Sequence, residues 1–229
     1  MRLAKPAFDV GLFTNRLEPM LDFWQQEVGL GLDHMQPLGG GVRQHRHRLP
    51  GQGVLKLNHA RDPLPGAPPS GYSELLIARD GLNEPVPLED PDGNRVILLP
   101  RGTLGVTGFG MRVLAGDVAA HRAFFAGALG LSSLPGNADA WRCGNALLLL
   151  EHSTRAVQDA PLQAPGYRYV TFQVHDCDAA HAAVLTHGGR EGQPPGTLGE
   201  VARISFVRDP DGNWIEVSQR ASLTGPLPA

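Results

Sequence analysis

Two rhythms of apolar and polar residues take turns along the chain. Stretches of period two, such as PAFDVGLFTN and TGFGMRVLAG, predict strands. Between them lie stretches with helical spacing. In LEPMLDFWQQEVG the apolar residues Leu17, Met20, Leu21, Trp24 and Val28 fall on one face of a helix. Asn15 is placed to cap that helix and Gly29 to end it. Three strand-like stretches follow: LGLDHMQPL, GVRQHRHRL and GVLKLNH. The order then recurs. The second half predicts a strand, a helix VAAHRAFFAGAL capped by Asp117, and strands around AWRCG and NALLLLEHS. After these come the strand YVTFQVHD, a helix AAHAAVLTHGG capped by Asp178, and strands ending in ARISFVRDPDGNWIEVSQ.

This recurrence is an internal repeat. The pentapeptide DPDGN stands at Asp90–Asn94 and again at Asp209–Asn213. Phe23-Trp24 followed by Gly29-Leu30 matches Phe124-Phe125 followed by Gly130-Leu131. The stretch Asp80 to Asp90 is shorter than its counterpart Asp176 to Asp209 by the length of a helix and a strand. The unit is therefore β-α-β-β-β, present four times, with the helix missing from the second copy. DPDGN itself is a turn: Asp accepts backbone hydrogen bonds, Pro presets φ, and Gly takes the fourth place. The expected division is an N-terminal half 1–101 (modules one and two), a C-terminal half 104–221 (modules three and four) and a tail 222–229.

Composition narrows the function classes. The chain has 229 residues, 41% of them hydrophobic and 19% charged, as in globular proteins. A net charge of −3 gives no basic surplus for phosphates, so no nucleic-acid partner is expected. No signal-peptide pattern opens the chain and no apolar run would span a membrane; a cytoplasmic location is the default. There is no P-loop and no GxGxxG after a strand, so no nucleotide cofactor is expected. Cys143 and Cys177 form no CxxC pair, and Cys143 reads as a small buried residue. Of 20 basic residues only Lys5 and Lys56 are lysines, the bias of a GC-rich genome, which singles out each lysine.

The segments FDVGLFTN…LDFWQQEVGLGL and FVRDPDGNWIEV resemble the vicinal oxygen chelate (VOC) superfamily over nearly the whole chain, Ala7 to Gln219. That family includes glyoxalase I, extradiol dioxygenases, fosfomycin-resistance proteins and bleomycin-binding proteins. The resemblance implies an α+β fold in which βαβββ modules pair into cup-shaped mixed sheets. It also implies metal-ligand places on each module's first strand and, as a Glu, on its last strand. The first-strand places fall on Asp9, Ser73, Gly108 and Tyr169. The last-strand places fall on Lys56, Ile97, Leu149 and Glu216, and only Glu216 matches outright.

Several candidates follow. Glu216 is a ligand or general base, or else a solvated strand carboxylate. Tyr169 is an acid or a substrate-orienting group. Lys56, where relatives carry Glu, suits an anionic substrate group or an enolate. Asn58 shares the face of Lys56. His45 and His47, two apart in VRQHRHR, share one sheet face while Gln44, Arg46 and Arg48 take the other. One of those faces must look into the cup, which makes His45, His47 and Asn58 candidate substrate contacts. Glu216, His45, His47 and Asp9 are the candidate ligands of a divalent Fe, Mn, Zn or Ni ion. Asp9 joins Glu216 only if the first and fourth modules pair, which spacing leaves open. The scattered His121, His152, His175, His181 and His187 read as solvent-facing. The expected function is a glyoxalase- or dioxygenase-like enzyme (lyase, isomerase or dioxygenase) acting on a small oxygenated metabolite. The alternatives are a metal-free binding protein of the bleomycin-resistance type and a metal-free isomerase using Lys56 and a carboxylate. The protein is expected as a monomer or homodimer.

Overall fold

The structure, a computed structural model, describes residues 1–228. The first module runs β1 (Asp9–Thr14), α1 (Leu17–Asp22), β2 (Leu32–Gly39), β3 (Val42–Arg48) and β4 (Val54–Ala60). The second has strands only: β5 (Tyr72–Arg79), β6 (Val86–Glu89) and β7 (Arg95–Pro100). The third is β8 (Phe109–Ala115), α2 (Val118–Gly127), β9 (Ser132–Leu134), β10 (Asn137–Cys143) and β11 (Ala146–His152). The fourth is β12 (Gly166–Gln173), α3 (Cys177–Thr186), β13 (Arg190–Leu198), β14 (Ala202–Arg208) and β15 (Trp214–Arg220), followed by the short α4 (Ala221–Thr224). The four-module α+β organisation read from the sequence is present, and the second module lacks both a helix and a strand.

Several local expectations shift. The first helix is α-helical only to Asp22; Phe23–Glu27 continues as a wider π-helical turn, with the Val28 amide donating to the Phe23 carbonyl. Asn15 does not cap it but donates to the Ala60 and Asp62 carbonyls, tying the end of β1 to the loop after β4. Gly29 ends the helical stretch at φ +72°, as its lack of a side chain permits. Asp117 caps α2 as expected, through the Ala120 amide. The cap of α3 is Asp176, whose side chain accepts from the Ala179 amide; Asp178 lies inside the first turn. Both DPDGN copies are turns between antiparallel strands, β6–β7 and β14–β15.

Module pairing is now fixed. One eight-stranded sheet has the order β13-β14-β15-β12-β1-β4-β3-β2, and a seven-stranded sheet has β6-β7-β5-β8-β11-β10-β9. The first module thus pairs with the fourth, through antiparallel β1 and β12, and the second with the third, through β5 and β8. A continuous apolar core, including Val10, Leu12, Trp24, Phe109, Phe124 and Phe172, joins the outer faces of both sheets to the helices. Phe8 bridges the two, with its ring 4.9 Å from Phe109 and 6.1 Å from Phe172.

His121 and His181 are buried rather than solvent-facing, because both lie on the inner faces of their helices. His121 clasps α2 to the second DPDGN turn. Its Nε2 lies 3.3 Å from Asp209 Oδ2, and its Nδ1 lies 2.9 Å from the Asp117 carbonyl. Burial works against a charged ring, yet the bond to and the charge of Asp209 prevail and raise its pKa. A raised histidine contributes stability fully below its unfolded value, near 6.5, and loses it as pH rises through the folded value. Denaturation midpoints measured across a pH series are therefore expected to fall as pH climbs above that value. The His121→Gln variant should lack this component.

Candidate functional site

Strand alternation decides which residues share a face. On β4, Leu55 and Leu57 join the apolar core, so Lys56 and Asn58 face the opposite, concave side. Arg46 and Gln44 on β3 pair with Lys56 and Asn58 and share that side. On β12 and β15, Val170, Phe172, Ile215 and Val217 take the core face, which leaves Tyr169, Thr171, Glu216 and Ser218 in the concavity. Asp9 and Gly11 of β1 lie between the two groups.

At the centre, Lys56 Nζ donates to Glu216 Oε2 at 2.7 Å and to Thr171 Oγ1 at 2.6 Å. Thr171 Oγ1 in turn donates to the same Glu216 oxygen at 2.8 Å. Lys56 is 1% exposed and Glu216 7%. Burial pushes the Lys56 ammonium down, while the charges of Glu216 and Asp9 hold it up. One ammonium proton is left without a chain partner, and Glu216 Oε1 accepts no hydrogen bond from the described residues.

Beside this cluster stands Tyr169. Its hydroxyl accepts from Asn58 Nδ2 at 3.1 Å and lies 3.5 Å from Gln44 Nε2, so its own proton is free to donate. Burial raises the phenol far above its ordinary pKa and keeps it protonated. The ring lies directly over Gly11: a Cβ on Gly11 would stand 2.1 Å from Tyr169 Cε1. Phe13, Tyr169, Phe206 and Trp214 form a run of neighbouring rings 5.9–6.3 Å apart.

The structure thus brings Glu216, Lys56, Tyr169, Asn58 and Asp9 into one cup. It does not bring in His45 and His47. Both pair with leucines on the outer face; His47 is fully buried there, 3.2 Å from Gln25 of the first helical stretch. Burial pulls His47 down to about 4. The combination of Glu216, His45, His47 and Asp9 around one ion therefore fails, since a seven-residue strand cannot turn two alternate side chains through the sheet. The arginine face of VRQHRHR is the one that looks into the cup. Sequence reasoning missed Thr171, Gln44 and Arg46 as site residues; the signal available was the two-residue spacing of Thr171 from Tyr169 and of Gln44 from Arg46.

The donors also do not suit a resident divalent ion. Glu216 is bound to an ammonium. Asp9 is taken by Lys5 Nζ at 2.6 Å, the Val54 amide at 3.0 Å and Gln173 Nε2 at 3.3 Å. Among the described residues no three His, Cys, Asp or Glu side chains converge as a ligand set. The second sheet offers no substitute: its corresponding face carries Leu76, Ala78, Leu99, Leu147 and Leu149 packed together, and its buried carboxylate, Glu74, is taken by Arg95 and Arg112.

Two sheets of paired βαβββ-type modules, each closed by one antiparallel seam, define a VOC-type fold with one polar and one largely apolar cup. Residues 109–217 match the model of the Glyoxalase/Bleomycin resistance protein/Dioxygenase superfamily. The third and fourth modules thus carry the match to this superfamily. Glyoxalase I from Zea mays superposes with a TM-score of 0.72 at 17% identity, over 95% of this chain and 92% of that one. A glutamate-to-glutamine variant of the maize protein gives 0.74 at 16% identity, over 95% and 93%. A candidate dioxygenase from Bacillus subtilis subsp. subtilis strain 168 gives 0.66 at 12% identity, over 96% and 85%. At these identities the likeness is one of fold. A search of curated protein sequences finds no match. No helix among the described residues is long and apolar enough to cross a membrane.

Proposed function

We propose that the polar cup is the active site of an enzyme that moves a proton next to a carbonyl of a small oxygenated metabolite, without a resident metal. One observation carries this reading: Glu216 has one oxygen pinned by Lys56 and Thr171 and the other left open. A carboxylate so held is oriented as a base. Glu216 Oε1 would take the proton from the carbon beside the carbonyl, breaking the C–H bond and leaving its electron pair on the enolate. The free Lys56 proton and the Tyr169 hydroxyl would donate to the developing oxyanion, the place where charge appears and where preformed donors count most. Returning the proton to the other face of the same carbon, or to the far end of a conjugated enolate, makes an isomerase; expelling a leaving group β to the carbonyl with the enolate's electron pair makes a lyase. A second reading has support in the ring run of Phe13, Tyr169, Phe206 and Trp214, which suits a planar ligand held without reaction.

Thermal-shift screening of small carbonyl and aromatic compounds, followed by proton NMR of the hits in D2O, tests the proposal. Solvent exchange at the carbon next to a carbonyl should persist in the presence of chelator. It should fall by about a hundredfold or more in Glu216→Gln, in line with loss of a general base. Hits that bind but show no exchange overturn the enzymatic reading in favour of the binding one. Loss of exchange in chelator, restored by Fe, Mn, Zn or Ni, overturns the metal-free one.

A further inference from the structure

The cup holds charge that its own residues do not balance. Lys56 is neutralised by Glu216, and Asp9 by Lys5. Two guanidinium groups remain. Arg46 is 7% exposed, and its one side-chain bond goes to the neutral Gln44 Oε1 at 2.8 Å. Its Nε is buried with no partner. Arg220, which follows Glu216 and Ser218 on the same face of β15, likewise has a buried Nε without a partner. Among the described residues neither arginine is in an ion pair: Asp9 and Glu216 attract Arg46 only from a distance, and Arg220 lies close enough to repel it.

Buried donors without acceptors are rare in native proteins, and each one calls for an explanation. Here they come as a set. Ser218 Oγ, fully buried, is also an unpartnered donor on the same concave face. Two unopposed cations and a hydroxyl on one side of the cup match the needs of a carboxylate, which takes guanidinium forks more strongly than any neutral acceptor. The ring run begins where these groups end, with Phe206 directly paired to Glu216.

We propose that the cup's ligand is a planar aromatic carboxylate. Its acid group is received by Arg46, Arg220 and Ser218, and its ring lies against Tyr169, Phe206 and Trp214. This rests on the reading of the cup as a ligand site, and it names the class of substrate whose reactive carbon would be held over Glu216.

Calorimetric titration with phenylacetate and mandelate, each against its carboxamide, tests it independently of catalysis. The wild-type protein should bind each acid at least about tenfold more tightly than its amide, the scale of a charge-assisted pair. Arg46→Met and Arg220→Gln should each remove most of that preference, and Arg46→Lys should keep part of it. Glu216→Gln should retain it. Circular dichroism would confirm that the variants fold. Equal affinity for acid and amide, or a preference unchanged in both arginine variants, overturns the proposal, as does the absence of saturable binding of either acid. Cyclohexylacetate binding as tightly as phenylacetate overturns the ring assignment. Acid preference in a protein that exchanges no proton would support this inference and sink the enzymatic reading; exchange on neutral carbonyl compounds with no acid preference would do the reverse.

Discussion

Lys56→Met should destabilise the protein by about 3–5 kcal/mol, the cost of removing one member of a buried ion pair. The substitution keeps the length of the side chain and deletes its charge. It leaves the Glu216 carboxylate at 7% exposure with only the Thr171 hydroxyl to serve it. The double variant Lys56→Met, Glu216→Leu should recover most of the loss and could exceed wild type by about 1–4 kcal/mol, because two apolar groups need no solvation. Urea denaturation of wild type, both single variants and the double variant completes the cycle. A single-variant loss below about 1 kcal/mol, the range of exposed pairs, would show that water reaches the pair freely. A double variant more stable than wild type would mean that the pair exists for its chemistry: stability is given up to keep a base and a proton donor in one place.

Gly11→Val should be the most damaging change on β1. Even a methyl group at Gly11 would lie 2.1 Å from Tyr169 Cε1 and 2.2 Å from Cζ. The ring has little room to yield: its hydroxyl is held by Asn58, and Phe13 and Phe206 stand 6.3 and 6.0 Å away. Overpacking of this kind costs about 1–3 kcal/mol, and valine at a seam between two modules belongs at the upper end. Thermal unfolding and the near-ultraviolet dichroism of the tyrosines would read it. Gly11→Ala combined with Tyr169→Leu should be markedly less destabilised than Gly11→Ala alone; equal losses would mean that the clash is not with the ring.

The fold was legible because it repeats. Two DPDGN turns, paired aromatic-to-Gly-Leu helices and alternating strands each gave the same modules, so local errors did not spread. The cap of α3 moved by two residues and the first helix widened at Phe23, but neither changed an element's place. What spacing could not supply was contact at long range. Nothing in the local pattern says that β1 pairs with β12 rather than with a strand of the next module. That choice puts Asp9 and Glu216 in the same cup. The alternation of VRQHRHR correctly divided His45 and His47 from Gln44 and Arg46 but not inside from outside. Imidazole chemistry drew attention to His45 and His47, whereas the cup takes Gln44 and Arg46. Lys56 was legible because lysine is scarce here, while Thr171 had only its distance from Tyr169 to mark it.

The nesting of the sheets has a consequence for the order in which the molecule assembles. The seven-stranded sheet is built from one unbroken stretch, from β5 to β11. The eight-stranded sheet joins the two flanks of that stretch. During synthesis the inner sheet can close while the first module waits with one edge unpaired. Lys56 then has no counter-charge until Glu216, 160 residues later, leaves the ribosome. Closing so long a loop is slow, so the late-forming half of the molecule is the polar one. The leucine-packed sheet can thus form first and give the polar cup an edge to be completed on.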